Sequence, residues 1–397
     1  MAEWIECSIG DLCSTISDTY KGNDEYVVLV NTSDVLEGKV LNHETVANKN
    51  LKGQFKKTFK RDDILYSEIR PANKRFAYID FENTSNYIAS TKLMVLRHNE
   101  KVLPEYLFAL LKSNYVIAEL QHLAETRSGT FPQITFSSEL APMKVFLPDK
   151  DTQIRIVSIL SSIEQKIDKN NEINNNLLEQ ALAIYKDWFC DYALSDGILP
   201  ENWKITTIDA ISSLVTRGIA PKYDDSSDQI VLNQKCIRDH TIDISLSRRH
   251  LPKKINEKWI SKGDLLINST GTGTLGRVAQ VWFKANNMTV DSHVTIVRPK
   301  DPILQSYIGF WGLSHESEIE AQHTGSTGQT ELPRDRVKAM ELPLPDEDTL
   351  SKFNELVIPM TSTVISNQEE NDRLSQLRDA LLPKLMSSEL DVSDIDL

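Results

Sequence analysis

The sequence has few cysteines and no long apolar run. Its four cysteines, Cys7, Cys13, Cys190 and Cys236, form no CxxC pair and are too sparse for a disulfide framework, so we expect reduced thiols. No apolar stretch approaches the roughly 20 residues that cross a bilayer, and the first residues contain no basic and apolar leader. These features predict a cytoplasmic protein with no membrane partner. With 40% apolar and 25% charged residues, the 397-residue chain can form two or three ordinary domains.

Motifs of the common catalytic centres are also missing. The eight histidines show no HExxH spacing, and the sequence contains no P-loop, no GxSxG and no Pro-Pro step typical of amino-methyltransferases. Residues 271–276 match GxGxxG, but a strand-like run follows them, which predicts a hairpin and no nucleotide site. Asp149 with Glu164 and Lys166 resembles the PD...ExK pattern of metal-dependent nucleases. A self-contained magnesium-dependent nuclease therefore stays open as an alternative.

The chain contains an internal duplication. Residues 63–67 (DILYS) return at 264–268 (DLLIN), and residues 91–97 (TKLMVLR) return at the same offset as 292–298 (SHVTIVR). The Leu-Pro-Asp step at 147–149 recurs at 344–346. Matches in the same order over both halves indicate two copies of about 200 residues.

Each copy has a globular part followed by a helical part. Short β-patterned runs at 26–30, 63–68, 75–80 and 87–97, with a helix-patterned stretch at about 104–123, predict an α+β globule. After each Leu-Pro step the sequence becomes helical. The predicted segments are a first globule (1–148), a central helix (149–196), a second globule (197–345) and a C-terminal helix (346–397).

Both helical segments carry apolar residues at alternating spacings of three and four, which is typical of a coiled-coil seam. Two asparagines fall at matching places in this seam. Because a seam asparagine is satisfied by a facing asparagine, we predict that the two helices pair antiparallel and separate the globules. The predicted seam continues through Ala181, Ile184 and Trp188. Its central positions are Ile163, Ile167, Asn170, Asn174 and Leu177 in the first helix, and Met360, Val364, Asn367, Asn371 and Leu374 in the second.

A net charge of −13 is unfavourable for binding a nucleic acid, but the charge is unevenly distributed. The helical segments and the C-terminal tail carry most of the acidity, whereas the two globules are close to neutral. Each globule also contains a basic cluster at an equivalent place, which favours double-stranded DNA as a partner. The basic candidates are Lys52, Lys56, Lys57 and Lys60 in the first copy, and Arg248, Arg249, Lys253 and Lys254 in the second.

Polar residues suited to phosphates or base edges follow each basic cluster and recur before each long helix. The predicted DNA contacts in the first copy are Arg70, Asn73, Lys74, Arg75, Arg127, Ser128, Thr130 and Gln133. Those in the second copy are Ser269, Thr270, Thr272, Thr274, Arg277, Ser326, Thr327 and Gln329.

These residues carry a family resemblance. The stretch LRDALLPKLMSSEL at 377–390 and the strand and loop GDLLINSTG at 263–271 are similar to segments of type I restriction-modification specificity subunits. The resemblance covers essentially the whole chain and implies two target recognition domains, related by a pseudo-twofold repeat and separated by two long antiparallel coiled-coil helices. Each domain would read one half of a bipartite, asymmetric DNA site.

The resemblance also implies the partners. Two methyltransferase subunits would dock on the helices, and two restriction subunits would join the full complex. S-adenosylmethionine and ATP would belong to those partners, so this chain would be non-catalytic and need no cofactor or metal. The alternatives are the magnesium-dependent nuclease and a coiled-coil scaffold whose globules bind proteins.

Overall fold

The computed structural model describes residues 4–49, 53–127, 132–252, 258–325, 330–387 and 389–392. The chain folds into two compact units. The first comprises Met1–Ile167 with Asp372–Leu397, and the second comprises Asp168–Asn371. The boundary crosses both long helical segments, so each unit contains one globule together with a part of each helix.

The strands of the first unit are β1 (Trp4–Ser8), β2 (Cys13–Ile16), β3 (Tyr26–Val30), β4 (Val35–Leu36), β5 (Lys39–Val40), β6 (Thr45–Ala47), β7 (Phe55–Lys57), β8 (Ile64–Ser67), β9 (Phe76–Tyr78), β10 (Tyr87–Ser90), β11 (Leu93–His98) and β12 (Lys144–Pro148). They form two four-stranded sheets, ordered β6-β3-β10-β7 and β2-β11-β8-β9, and two small two-stranded sheets, β1-β12 and β4-β5. All of these strand pairs are antiparallel except β3 with β10.

Two predicted elements of this unit are each divided. The run at 87–97 forms β10 and β11, which a turn at Thr91 and Lys92 separates. The helix predicted at 104–123 is split into α1 (Pro104–Leu111) and α2 (Asn114–Arg127). The second break has a local cause, because the Ser113 hydroxyl accepts a hydrogen bond from the Val116 amide and so favours a new helix start. The long helix α3 (Lys150–Phe189) follows β12.

The second unit repeats this plan with the strands β13 (Lys204–Thr207), β14 (Ser212–Arg217), β15 (Ile230–Leu232), β16 (Ile237–Arg238), β17 (Thr241–Ile242), β18 (Arg248–Arg249), β19 (Leu265–Asn268), β20 (Val278–Gln280), β21 (Met288–Val290), β22 (Val294–Pro299) and β23 (Glu341–Leu344). Its sheets are ordered β14-β22-β19-β20 and β18-β15-β21, with the two-stranded pairs β13-β23 and β16-β17. Again one of these strand pairs is parallel, β15 with β21.

Short helices complete the second globule, and a long one follows it. They are α4 (Ile208–Ile211), α5 (Gln305–Ser314), α6 (Glu316–Ala321), α7 (Arg334–Lys338) and α8 (Glu347–Met386). The antiparallel pairing of β19 with β20 confirms that residues 271–276 lie in a hairpin connection. In the part of the chain that the structure describes, no helix has the length and apolarity to span a membrane.

A bidentate ion pair recurs at the same place in both globules. Arg97 binds Asp63 through two bonds of 2.7 Å, and Arg298 binds Asp264 through bonds of 2.8 and 2.7 Å. Both aspartates are fully buried beside the central sheets. Burial raises the pKa of Asp264, and the hydrogen bond from Arg298 opposes that rise. In each copy the arginine thus compensates the buried carboxylate at the point where β8 or β19 begins.

In the first unit, the beginning of α3 and the end of α8 share one core. Ile156 and Leu160 belong to the same buried cluster as Leu382 and Leu385, together with the side chains of α1 and α2. Ile163 is also buried, whereas Ile167 and Leu374 are half-buried. The beginning of α3 and the end of α8 therefore both form part of the core of the first unit.

In the second unit, facing asparagines join α3 to α8. The Asn170 amide donates to Asn371 Oδ1 at 2.9 Å, and the Asn367 amide donates to Asn174 Oδ1 at 2.8 Å. Asn170 and Asn174 are 1% and 6% exposed, so these amides satisfy each other away from water. The crossed order of the two pairs means that the helix segments run antiparallel here. Val364 is buried in this stretch, and Leu177 and Met360 are half-buried.

The buried face of α3 departs from the predicted seam after Ala181. Tyr185 and Phe189 are buried there, in place of the predicted Ile184 and Trp188, which are half-buried. The reason is a change of partner. Both aromatic rings pack against Tyr307 of α5 at centroid distances of 5.9 and 5.0 Å and also against Phe353 of α8, so the helix here faces the second globule as well as α8.

We expect the asparagine pairs to stabilise the helix pairing as coupled units. Asn174→Leu should lower the free energy of unfolding by about 1 to 2 kcal/mol, because it leaves the half-buried Asn367 amide without its partner. Adding Asn367→Leu should restore most of the loss. Urea unfolding followed by circular dichroism gives the coupling energy, and exposed Asn175→Ala is the control. Additive losses in the double variant would show that the pair is not coupled.

The first turn of α8 is fixed by Asp346. Its carboxylate accepts hydrogen bonds from the Thr349 amide at 2.9 Å and from the indole of Trp203 at 3.1 Å. The Thr349 amide bond, followed by bonds from the Thr349 hydroxyl, Trp203 and Asn202, lowers the pKa of Asp346 to about 2. This aspartate therefore caps the helix and ties it to the strand region that begins the second globule.

Asp346→Ala should lower the free energy of unfolding by about 1 kcal/mol at neutral pH. The folded-state pKa is depressed, so the contribution of the native carboxylate is complete above pH 4 and is lost as the pH falls toward 2. The stability difference between native chain and variant should therefore narrow below pH 4. Exposed Asp348→Ala, which loses only a surface ion pair with Lys352, should change stability much less. A difference that stayed constant down to pH 2.5 would contradict this role.

Candidate nucleic-acid interface

The first tip loop, residues 68–75, connects β8 to β9 and presents polar side chains. It contains a short 3-10 turn at Pro71–Asn73, and Arg70 and Asn73 are exposed on it. The Arg70 backbone has a positive φ of 45°. The loop is held from α2, because Gln121 Oε1 accepts the Ala72 amide at 3.0 Å. The two exposed side chains thus project from a backbone of defined shape.

Backbone hydrogen bonds join this loop to neighbouring segments. The Glu68 amide donates to the Lys92 carbonyl at 3.0 Å, and the Ile134 amide donates to the Glu68 carbonyl at 2.9 Å. Ile69 and Gln133 form an isolated antiparallel bridge between these bonds. Lys92 therefore lies beside the tip loop, where its ammonium is 3.6 Å from Glu68 and 3.4 Å from Gln133 Oε1.

The second globule contains the same arrangement. The Ser269 amide donates to the His293 carbonyl at 2.7 Å, and the Leu332 amide donates to the Ser269 carbonyl at 2.8 Å. Thr270 and Glu331 form the corresponding bridge. The second tip loop, residues 269–277, thus meets the same two neighbours as the first tip loop, with His293 at the position of Lys92. The backbone frame repeats, whereas the side chains differ.

The second tip loop depends on glycine and on internal polar bonds. Gly271 has φ +99°, and a Cβ there would lie 2.3 Å from Thr274 Oγ1. The Thr274 hydroxyl donates to the Thr270 carbonyl at 3.2 Å, and Gln234 donates to the same carbonyl at 2.7 Å. Thr272 is exposed in the middle of this loop.

The predicted basic residues of the first copy do not all face outward. Lys56 and Lys60 are exposed. Lys57 instead donates to the carbonyls of Thr91 and Leu93 at 3.1 and 2.8 Å, and its burial lowers the pKa of the ammonium. Lys57 therefore holds the start of β11 and is a poor candidate for a phosphate contact.

In the second copy, Arg248 and Arg249 are exposed on β18. The Arg248 guanidinium lies 3.5 Å from the centre of the Tyr223 ring, and Arg249 donates to the Ser227 carbonyl at 2.8 Å. Both cations are thus oriented by neighbouring groups and still reach solvent.

Several predicted polar contacts are engaged inside the fold. Ser269 is fully buried, and its hydroxyl lies 2.6 Å from that of Thr295, so we remove it from the candidate interface. Arg75 donates to the Ser33 carbonyl at 3.0 Å, Lys74 lies 3.3 Å from Glu37, and Arg127 lies 3.0 Å from Glu139. Arg277 is half-buried. Fewer of the predicted side chains on these loops are therefore free to contact a ligand than the sequence suggests.

Eight predicted residues lie outside the described part of the chain. They are Lys52, Ser128, Thr130, Lys253, Lys254, Ser326, Thr327 and Gln329.

Four residues beside the tip loops were not predicted from the sequence. They are Lys92, Arg217, Gln234 and His293. Arg217 donates to the Leu332 carbonyl at 2.8 Å and pairs with Glu331, so it holds the segment that bridges the second tip loop. Lys92 lies within the β-patterned run at 87–97, and His293 is its equivalent in the second copy. Their polar character immediately before an apolar strand was the available signal of an exposed turn.

The nuclease pattern is not assembled. Asp149 accepts bonds from the amide and hydroxyl of Thr152 at the start of α3, whereas Glu164 pairs with Lys112. Fifteen residues of helix separate the two carboxylates by about 22 Å, which is too far for a shared metal ion. The described residues also contain no group of three histidine, cysteine, aspartate or glutamate side chains placed to hold a metal.

Comparison with known proteins decides the family. A profile described as the type I restriction modification DNA specificity domain matches residues 1–179. The HindI specificity subunit of Haemophilus influenzae is 30% identical to this chain, and the match covers 98% of the chain and all of that protein. The chain belongs to the family of type I restriction-modification specificity subunits.

Other members of the specificity-subunit family are more distant. The MjaIX specificity subunit of Methanocaldococcus jannaschii is 24% identical, over 74% of this chain and 71% of that protein. The crystal structure of a type I restriction-modification S subunit from M. genitalium has 13% identity and a TM-score of 0.56, covering 97% and 96% of the two chains. The second similarity shows a shared fold.

Adjacent lysines give a test that separates structure from surface. Lys57→Ala should lower the free energy of unfolding by about 1 to 3 kcal/mol, because two buried carbonyls lose a charged donor. Lys56→Ala should change it by less than about 0.5 kcal/mol, because its side chain is exposed. Chemical denaturation of both variants measures the difference. Equal stability of the two variants would show that the Lys57 bonds contribute nothing.

Proposed function

We propose that this chain is the DNA-reading subunit of a type I restriction-modification complex, and that each globule binds one half of a bipartite, asymmetric site. One observation carries the proposal. The backbone frame around the two tip loops is the same, yet it presents Arg70 and Asn73 in one copy and Thr272 in the other. One frame with two sets of side chains suits the reading of two different half-sites.

Phosphate contacts would come from exposed cations of the same two globules. Lys56 and Lys60 in the first globule, and Arg248 and Arg249 in the second, are exposed. Such cations give affinity that falls with salt but carries no sequence information. The acidic helical segments would stay outside the duplex contact, which reconciles DNA binding with a net charge of −13.

The chemistry would belong to partner subunits. In this proposal the paired helices α3 and α8 set the separation of the half-sites and dock two methyltransferase subunits, which bind S-adenosylmethionine. Two restriction subunits, which use ATP, complete the larger complex. This chain is then non-catalytic and binds no cofactor. The separation of Asp149 and Glu164 along α3 supports this reading over the nuclease alternative.

The test uses the chain assembled with the methyltransferase subunits of its own host system. The double variant Arg70→Ala/Asn73→Ala should relax base preference in one half-site and leave the other half unchanged, because the tip loops read separate halves. Sequencing of methylated plasmid DNA reports both halves at once. The expected loss of discrimination is about tenfold per affected base pair.

Lys101→Ala is the matched control, since this exposed cation follows the other end of β11. It should leave the methylation pattern unaltered. Two results would refute the proposal: changes in both halves with the double variant, or methylation without sequence preference by the native complex. Undiminished assembly with no DNA binding would favour the protein-binding scaffold, and magnesium-dependent cleavage by the chain alone would favour the nuclease.

A further inference from the structure

The side chain of His293 is exposed beside the second tip loop and is held by a polar neighbour. Its Nδ1 lies 2.8 Å from Thr270 Oγ1. Its backbone is fixed as well, because its carbonyl accepts the Ser269 amide at 2.7 Å and its own amide donates to Asp291 Oδ1 at 2.9 Å. An exposed ring with a fixed backbone and one anchored nitrogen presents its other nitrogen in a defined direction.

The hydrogen bonds on Thr270 hold one imidazole nitrogen in place. Gln234 donates to Thr270 Oγ1, and the orientation of this amide is set by its second bond, to the Thr270 carbonyl at 2.7 Å. The threonine hydroxyl thus accepts from Gln234 and keeps one proton to donate. When that proton is donated to His293 Nδ1, the ring carries its own proton on Nε2, which then faces outward as a donor.

We propose that His293 reads one base pair of the half-site bound by the second globule, by donating a hydrogen bond from Nε2 to an acceptor on the base edge. Gln234 and Thr270 are positioning residues for this contact. The inference rests on the proposed function and adds to it the residue and the chemical group that it recognises. The acceptors that fit in the major groove are guanine O6 or N7, adenine N7 and thymine O4, whereas the amino group of cytosine does not fit.

Two observations favour a base edge over a phosphate. A single directed donor adds little to phosphate binding, which the exposed arginines of β18 can supply. A ring that is held in one direction by its Nδ1 contact, in contrast, suits the hydrogen-bond readout of a base. The first globule carries Lys92 at the equivalent position, where Glu68 and Gln133 constrain it. The same place in the frame therefore presents a different donor in each copy.

The experiment maps methylation by the native complex and by complexes that contain His293→Ala or Thr270→Val. Both variants should relax preference at one and the same base pair, by about tenfold. That base pair should lie in the half-site that Arg70→Ala/Asn73→Ala leaves unchanged. Thr270→Val conserves shape and removes only the hydroxyl relay, so it tests orientation of the ring apart from its presence. His323→Ala, an exposed histidine of the same unit, is the control.

The outcomes separate this inference from the proposed function. An unchanged motif with His293→Ala, or a uniform fall in methylation at all sites, would overturn the inference and leave the proposed function intact. Relaxation with His293→Ala but none with Thr270→Val would overturn the positioning role of Thr270. Loss of sequence preference in the native complex would overturn the proposed function itself.

Discussion

Backbone hydrogen bonds at the end of each central sheet hold both candidate surfaces in place. In each globule the amide of the first tip-loop residue donates to the carbonyl of the residue that precedes β11 or β22. The carbonyl of the same tip-loop residue accepts an amide from the segment before the long helix. Because these bonds join main-chain atoms, they do not depend on which side chains the loop carries. The frame can stay constant while Glu68 and Arg70 in one copy correspond to Ser269 and Gly271 in the other.

The buried ion pair of each globule is the same in both copies for a different reason. The pairs Asp63–Arg97 and Asp264–Arg298 occupy equivalent positions, and both aspartates are buried. A buried carboxylate without its arginine would be left uncompensated, so neither partner can change alone without a large loss of stability. This ion pair is therefore the same in both copies, whereas exposed positions of the tip loops, such as Arg70 and Thr272, differ.

Much of this organisation could be predicted from the sequence, because duplication and periodicity are properties of residue order. The hairpin at 271–276 and the long helices after Pro148 and Pro345 follow from local patterns. Ion-paired and buried side chains could not be predicted this way. Lys57 and Ser269 look like surface residues in the sequence, yet one holds a strand and the other is buried, because partners distant along the chain decide their environment. The contact between His293 and Thr270, 23 residues apart, likewise depends on the fold.

The amide pairs between α3 and α8 are symmetric with respect to the duplication. The duplication offset of the helical segments is 197 residues, so Asn367 corresponds to Asn170, and Asn371 corresponds to Asn174. The bonds observed are Asn170 with Asn371 and Asn174 with Asn367. Exchanging the two copies converts each bond into the other. One copy of the helix therefore contains both kinds of residue that these two bonds need, and two identical helices could pair through the same contacts.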